Sequence, residues 1–272
     1  MDRIRHLDRK DGRGDDPIIE TRGAPGTEMR HELDGRMRLF GNVLSALCVL
    51  ALAVWCALIF NPLTHDLAAL GFRTGREYTF TEMATAAAFL GAFVLGLGLG
   101  IGHARCGGAW LQAAAFLVFA GVAAFACLEE VQYFQPLLGY DIPEWMLDAN
   151  AQQEFTFHNI GELHGRPEYF YLVFCVAAYA LHLPRVRVLP RAIWADVRAH
   201  PFLLPILHCV LAMTILKIAD RLFDLAPMIE RGVRWTTEIT ELYIALWALL
   251  YVAFKLWERV SPHPRASGGT SP

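Results

Sequence analysis

Six blocks of mostly apolar residues punctuate the chain, at roughly 39–61, 83–102, 109–128, 168–183, 201–219 and 237–256. A helix needs about 20 such residues to cross a bilayer. Inside hydrocarbon no water satisfies the backbone, so a continuous apolar block must close its own hydrogen bonds as a helix. The expected fold class is therefore all-α: a polytopic integral membrane protein of about six transmembrane helices. The fourth block is the shortest, and the fifth contains Pro205 and Lys217. Charged residues make up only 19% of the chain, against about 25% in soluble domains. That balance excludes a disordered chain, a collagen and a coiled coil. The 24 basic and 27 acidic residues give a net charge of −3, which speaks against a nucleic-acid partner.

The sequence outside the blocks sets the domain organisation. Residues 1–38 are charged and rich in Gly and Pro, so they are expected to be a disordered cytoplasmic tail, as is 259–272. Residues 39–258 form the membrane domain. Its first block begins too far in, and runs too long, for a cleaved signal. The six cysteines carry no CxxC, and five lie inside apolar blocks, so they read as small packing residues. The five glycines between Gly91 and Gly102 read as helix-packing positions rather than a pore lining. Eleven basic residues flank one set of span ends, among them Arg36, Arg105, Arg191, Lys255 and Arg259. Six flank the other, among them Arg73, Arg166, Arg221 and Arg234. The side richer in Lys and Arg is the cytoplasmic one, so both termini are expected there and the 129–167 loop outside.

Polar residues gather at the span ends that this topology puts outside. Span 3 closes with Glu129 and Glu130, span 5 with Lys217, Asp220 and Arg221, and span 6 opens with Glu238 and Glu241. Carboxylates at membrane depth cost about 2.5–3.5 kcal/mol each to insert, and they persist where they are paired or functional. Glu238 and Glu241, spaced i,i+3, share one helix face. Glu129 and Glu130 point about 100° apart on a helix, so at most one of them should face a given pocket centre. In the loop between spans 3 and 4, Asn150, Glu154 and His158 are spaced i, i+4, i+8 and form one stripe of an amphipathic helix. Trp145, Phe155 and Phe157 would rest that helix on the membrane interface.

Residues 129–159 resemble a family of uncharacterised bacterial polytopic membrane proteins. Its members read E-E-I-S-W-G-Q, then T-P-E, then N-x-Q-x-E-T-N-L-H-N. The matching positions are Glu129, Glu130, Gln135, Pro143, Glu144, Asn150, Gln152, Glu154, His158 and Asn159. Gln132, Tyr133 and Phe134 stand where the family has Ser, Trp and Gly, and Phe155, Thr156 and Phe157 where it has Thr, Asn and Leu. The resemblance implies a bacterial inner membrane and an outward polar site, and it supplies no reaction.

Several chemistries fit these residues. Glu130, Glu154 and His158 are the ligand types a divalent metal accepts, and a bound metal could activate water against an ester or phosphate. Without metal, a partly buried Glu130 beside other carboxylates suits proton transfer, with His158 as partner. A hydrogen-bonded loop tying 129–167 onto the helix ends is the structural alternative. Arg221 and Arg234 suit phosphate contacts, or they pair with nearby Asp and Glu. No nucleophile elbow, phosphate loop or dinucleotide fingerprint occurs. The expected function is a membrane-embedded enzyme that hydrolyses, or transfers a group to, a lipid or lipid-linked substrate at the outer leaflet. Glu130, Glu154 and His158 are its catalytic set. Glu129, Gln135, Asn150, Asn159, Arg221, Arg234, Glu238 and Glu241 contact substrate. The alternative is a non-catalytic membrane protein, a small transporter or an assembly subunit that docks a partner or a second copy through the polar loop.

Overall fold

The computed structural model describes residues 25–69, 79–106, 109–149, 166–183, 191–223 and 225–260. Every regular element among them is helical: α1 (Pro25–Ile59), α2 (His65–Ala69), α3 (Phe80–Arg105), α4 (Trp110–Glu130), α5 (Gln135–Leu138), α6 (Glu144–Ala149), α7 (Pro167–Ala180), α8 (Arg191–Val197), α9 (Leu204–Phe223) and α10 (Pro227–Val260). Single 3-10 turns at Gln132–Phe134 and Pro201–Leu203 precede α5 and α9. The chain is an all-α polytopic membrane protein. Among the described residues five helices are long and apolar enough to cross a bilayer: α1, α3, α4, α9 with the turn before it, and α10.

The fourth expected span falls short by length. Helix α7 has 14 residues, about 21 Å at 1.5 Å per residue. Its ends nevertheless meet both ends of α9. At one end the Arg221 guanidinium lies 3.0 Å from Glu168, the second residue of α7. At the other, the Ala199 amide donates to the Leu181 carbonyl at 3.0 Å, and His182 Nε2 lies 3.1 Å from the His200 carbonyl. Helix α7 therefore runs beside α9 through its whole depth, with a turn at Leu181–His182 completing what the helix lacks.

Helices α3 and α4 form a tight antiparallel pair, and α10 packs against both α3 and α9. A Cβ at Gly100 would stand 2.8 Å from the Leu117 side chain, which is the close approach that small residues allow between membrane helices. Helix α3 starts at a capping box: the Glu82 amide donates to Thr79 Oγ1 at 3.1 Å, and the Thr79 amide to Glu82 Oε2 at 2.6 Å. Helix α10 is the central element, with 50% of its most apolar window buried, and α1 the peripheral one, with 11%. Leu39, Leu47 and Leu50 on α1 are more than half exposed, as a lipid-facing surface requires. Helix α1 begins at Pro25, inside the stretch expected to be unordered. Residues 1–24 and 261–272, which hold the remainder of both expected tails, lie outside the described residues.

The two ends of the bundle differ in charge. One holds Lys255, buried and 2.9 Å from Glu258, whose other oxygen lies 3.0 Å from His200. Arg259 reaches the Leu99 carbonyl and Cys106 there. The opposite end holds the C-terminus of α4, the C-terminus of α9 and the first third of α10, and it is acidic.

Peripheral α1 is held by few contacts. The Ser45 hydroxyl donates to the Phe202 carbonyl, the Tyr243 hydroxyl donates to the Cys48 carbonyl at 2.5 Å, and Gly41 lets the Phe202 ring lie against the helix backbone. A Cβ at Gly41 would meet ring atoms of Phe202 at 2.6 Å, whereas one at Gly98 meets nothing within 4 Å. Gly41→Ala should therefore lower stability in detergent by about 1–3 kcal/mol through overpacking. Gly98→Ala should be neutral or raise it by up to about 1 kcal/mol through helix propensity. Thermal unfolding of the two variants beside wild type checks this, and equal effects would contradict the Gly41 contact.

Candidate functional site

A cavity of about 1500 Å³ occupies the space between α4 and α7, with α10 behind it. The helix pairing explains it: α4 packs on α3 and α7 packs on α9, so the two outer helices are held apart. Along α7 it runs from Pro167 to Leu181, a rise of about 21 Å. One leaflet of the hydrocarbon core is about 15 Å deep, so the groove is long enough to take a lipid chain. Its outer edges are Val122 and Phe125 on α4 and Phe170 on α7, which are 64%, 51% and 49% exposed. The groove thus opens sideways, on the face of the bundle that meets lipid.

Its polarity is graded along its length. All the charged lining residues lie at the acidic end. They are Glu82 on α3, Glu129 and Glu130 on α4, Lys217, Asp220 and Arg221 on α9, and Glu230, Arg234, Glu238 and Glu241 on α10. Below Glu241 the lining turns apolar, with Phe119, Ala123, Phe174 and Ile244. Trp247 stands in this lower wall, six residues past Glu241 and hence about 9 Å deeper. Its ring stacks on Tyr251 at 5.3 Å and receives the edge of Phe174 at 5.4 Å, which fixes the indole in place. The indole Nε1 is buried and has no hydrogen-bond partner.

Hydrogen bonds hold the charged groups. The Tyr171 hydroxyl donates to Glu241 Oε1 at 2.6 Å, joining α7 to α10. Lys217 donates to the Thr237 hydroxyl, joining α9 to α10. Arg221 pairs with Glu168, which is only 1% exposed. Glu130 lies within electrostatic reach of Glu241, Glu238, Glu82 and Glu129. Just past α4, Gln132, Tyr133 and Phe134 have φ of 46°, 54° and 62°. Three successive side chains in the left-handed region cost on the order of 1–3 kcal/mol each, and such strain clusters at functional sites. The turn brings Tyr133 back beside Glu129. Burial and that carboxylate push the Tyr133 phenol well above its ordinary range, which keeps it a neutral hydroxyl.

Of the residues singled out from the sequence, Glu129, Glu130, Arg221, Arg234, Glu238 and Glu241 meet at this one cavity. Glu129 and Glu130 both line it, where the helix geometry had allowed one. The groove wraps the end of α4, so neighbouring positions reach the same space. Gln135 is elsewhere: its Nε2 donates to the Tyr140 carbonyl at 3.0 Å and holds the loop. Glu154, His158, Asn150 and Asn159 lie outside the described residues, as does most of the expected loop helix. Helix α6 stands just before them, anchored by the fully buried Met146 and with Trp145 60% exposed. Among the described residues no group of three His, Cys, Asp or Glu is close enough to hold a metal ion.

Sequence reasoning missed Glu82, Glu168, Tyr171 and Trp247. Glu82 carried a signal, because Thr79 and Glu82 spell a capping box at the mouth of a span. Glu168 also did, as a carboxylate directly after a helix-starting proline at a membrane end. Tyr171 and Trp247 sit inside apolar blocks, where nothing separates them from ordinary core aromatics. Comparison with family models, with curated proteins and with solved structures gives no match, so the site's own geometry carries the functional reading.

Removing one partner of a buried ion pair costs about 3–5 kcal/mol. Arg221 is partly exposed, which brings the expected loss for Arg221→Gln down to about 1–3 kcal/mol. The double variant Arg221→Gln with Glu168→Gln should recover most of it, since no charge is then left buried. A double variant less stable than Arg221→Gln alone, by thermal unfolding in detergent, would contradict the pairing.

Proposed function

We propose that this protein is a membrane-embedded enzyme that works on a lipid or lipid-linked substrate, by hydrolysis or group transfer. The observation that supports this reading is the groove itself: carboxylates from four helices gather at one end of a lipid-open, otherwise apolar cleft. A soluble substrate has no need of a groove about 21 Å long whose lower part is apolar, whereas an amphiphile fills both parts. The positive-inside bias orients the acidic end outward, with both termini in the cytoplasm of a bacterial inner membrane.

Glu130 is the group best suited to move a proton. It stands at the charged end of the groove among other carboxylates, which favours a shared proton. Glu241, held by Tyr171, is its partner across the cleft. His158 and Glu154 complete the catalytic set from the loop, which rejoins the bundle at Pro167 in the cavity wall, nine residues after His158. A divalent metal bound by Glu130, Glu154 and His158 would supply an activated water. A transport pathway fits less well, because the charged lining residues stop at Glu241 and Lys217.

The test is turnover. Wild-type protein in nanodiscs of a total polar lipid extract should convert one lipid class over time, followed by mass spectrometry. Glu130→Gln should slow it by about 10²–10⁴-fold at unchanged thermal stability. His158→Ala should do the same. Absence of any lipid conversion by wild type would overturn the enzyme reading and leave the docking subunit in its place.

A further inference from the structure

The groove opens sideways, and its inner end is built over. Helix α8 and the residues after it bond to each of the three helices around that end. The Gln112 amide of α4 donates to Asp196 at 3.2 Å. The Tyr251 hydroxyl of α10 donates to the Val197 carbonyl at 2.7 Å. The Ala199 amide donates to the Leu181 carbonyl, just past α7, at 3.0 Å. Ile193 and Val197 of α8 are buried, so this segment is seated in the bundle.

A layer of rings stands between α8 and the open space. Tyr251 on α10 meets Phe119 on α4 at 5.4 Å and stacks on Phe116 at 6.4 Å and on Trp247 at 5.3 Å. Phe174 of α7 sets its edge on Trp247 at 5.4 Å. Phe116, Trp247 and Tyr251 are buried, and close-packed rings of this kind have nowhere to swing. Phe119 and Trp247 line the groove, whereas Phe116 and Tyr251 lie behind them. The open space therefore stops on the first pair.

The depth of the apolar part follows from the helices. Glu241 and Tyr171, joined by their hydrogen bond, mark the level where charge ends. From there the lining continues to Ala248 along α10 and to Leu181 along α7, a depth of about 11–15 Å at the helical rise. The walls between are small, with Ala123 and Ala126 on α4 and Ala177 and Ala178 on α7. An extended chain advances about 1.2 Å per bond, so the apolar part measures about 9–12 bonds.

From this floor we infer that the groove gauges chain length: it takes an aliphatic chain of about 9–12 carbons, and Phe119 and Trp247, on which the chain ends, set the limit. The inference rests on the lipid-substrate reading and adds the chain specificity of that substrate. A shorter chain leaves part of the wall without contacts. A longer one must crowd the packed floor or bend out through the side, and overpacking is unfavourable.

The probes are glycerol monoesters that share a neutral head and differ in chain: octanoyl, decanoyl, dodecanoyl, tetradecanoyl and hexadecanoyl. The full-length protein in detergent is given an equimolar mixture, and the bound esters are read by native mass spectrometry. Wild type should retain the decanoyl and dodecanoyl esters at least about fivefold over the hexadecanoyl ester. Ala126→Phe sets a ring about 6 Å below Glu130 and should move the maximum to the octanoyl ester. Phe119→Ala should move it to the tetradecanoyl ester or beyond, and Ala126→Phe decides the matter should that variant not fold. Val118→Phe, at a lipid-facing position of α4 that is 68% exposed, should leave the profile unchanged. Equal retention of all chains, a maximum at the hexadecanoyl ester, a maximum that Ala126→Phe does not move, one that Val118→Phe moves as far, or no retention of any ester would each overturn the inference. Chain selection without turnover of any lipid would overturn the catalytic reading alone. Turnover of lipids of every chain length at one rate would uphold catalysis and overturn the gauge.

Discussion

The hydrogen bond from Tyr171 to Glu241 joins α7 to α10, two helices with little other contact. Helix α7 takes its main support from α9, and its contact with α10 is slight. A 2.6 Å bond between a tyrosine hydroxyl and a carboxylate is therefore the polar tie across the back of the cleft. Such charge-assisted bonds are short and about twice as strong as neutral ones. It orients the Glu241 carboxylate at the charged end of the groove, within electrostatic reach of Glu130.

Around that tie, the membrane environment explains why the charges lie where they do. A buried charge in a low-dielectric interior is tolerated only when paired or hydrogen-bonded. At the acidic end, Glu168 has Arg221, Glu241 has Tyr171, and Glu82 has the backbone amide of Thr79. At the other end, Lys255 has Glu258, and Glu258 also reaches His200. Between the two ends the bundle is filled by aromatic and small residues, with Trp247 stacked on Tyr251 and Phe116 stacked on His103. The groove is cut into the side of this filling. Its apolar lower part is an extension of the lipid-facing surface, and only its upper part departs from what lipid alone would dictate.

How far the sequence carried the reading differs from helix to helix. Spans 1, 2, 3, 5 and 6 were legible because about 20 apolar residues in a row leave the backbone no alternative in a bilayer. Helix α7 and the turn after it fill the fourth block, the shortest in the sequence, and the helix alone falls below crossing length. Glu238 and Glu241 on one face of α10 followed from helix geometry alone. Gln135 could not be told from a ligand contact, since a side-chain amide serves a loop carbonyl and a substrate equally well. The glycines Gly96 and Gly100 read as packing positions and do pack, against Phe119 and Leu117.

By itself the sequence determined that the chain is all-helical and membrane-spanning. It also determined that the carboxylate-rich span ends lie on one side, because hydrophobic length and backbone satisfaction within each helix are local properties. Only the tertiary structure decided that α4 and α7 stand apart and that Glu130, Glu241 and Lys217 share one space. It alone decided that Glu168 pairs with Arg221 and that the Trp247 indole is buried without an acceptor. Those outcomes depend on which helices choose each other as neighbours. That choice is made by side-chain fit over the whole bundle, and no stretch of sequence contains it.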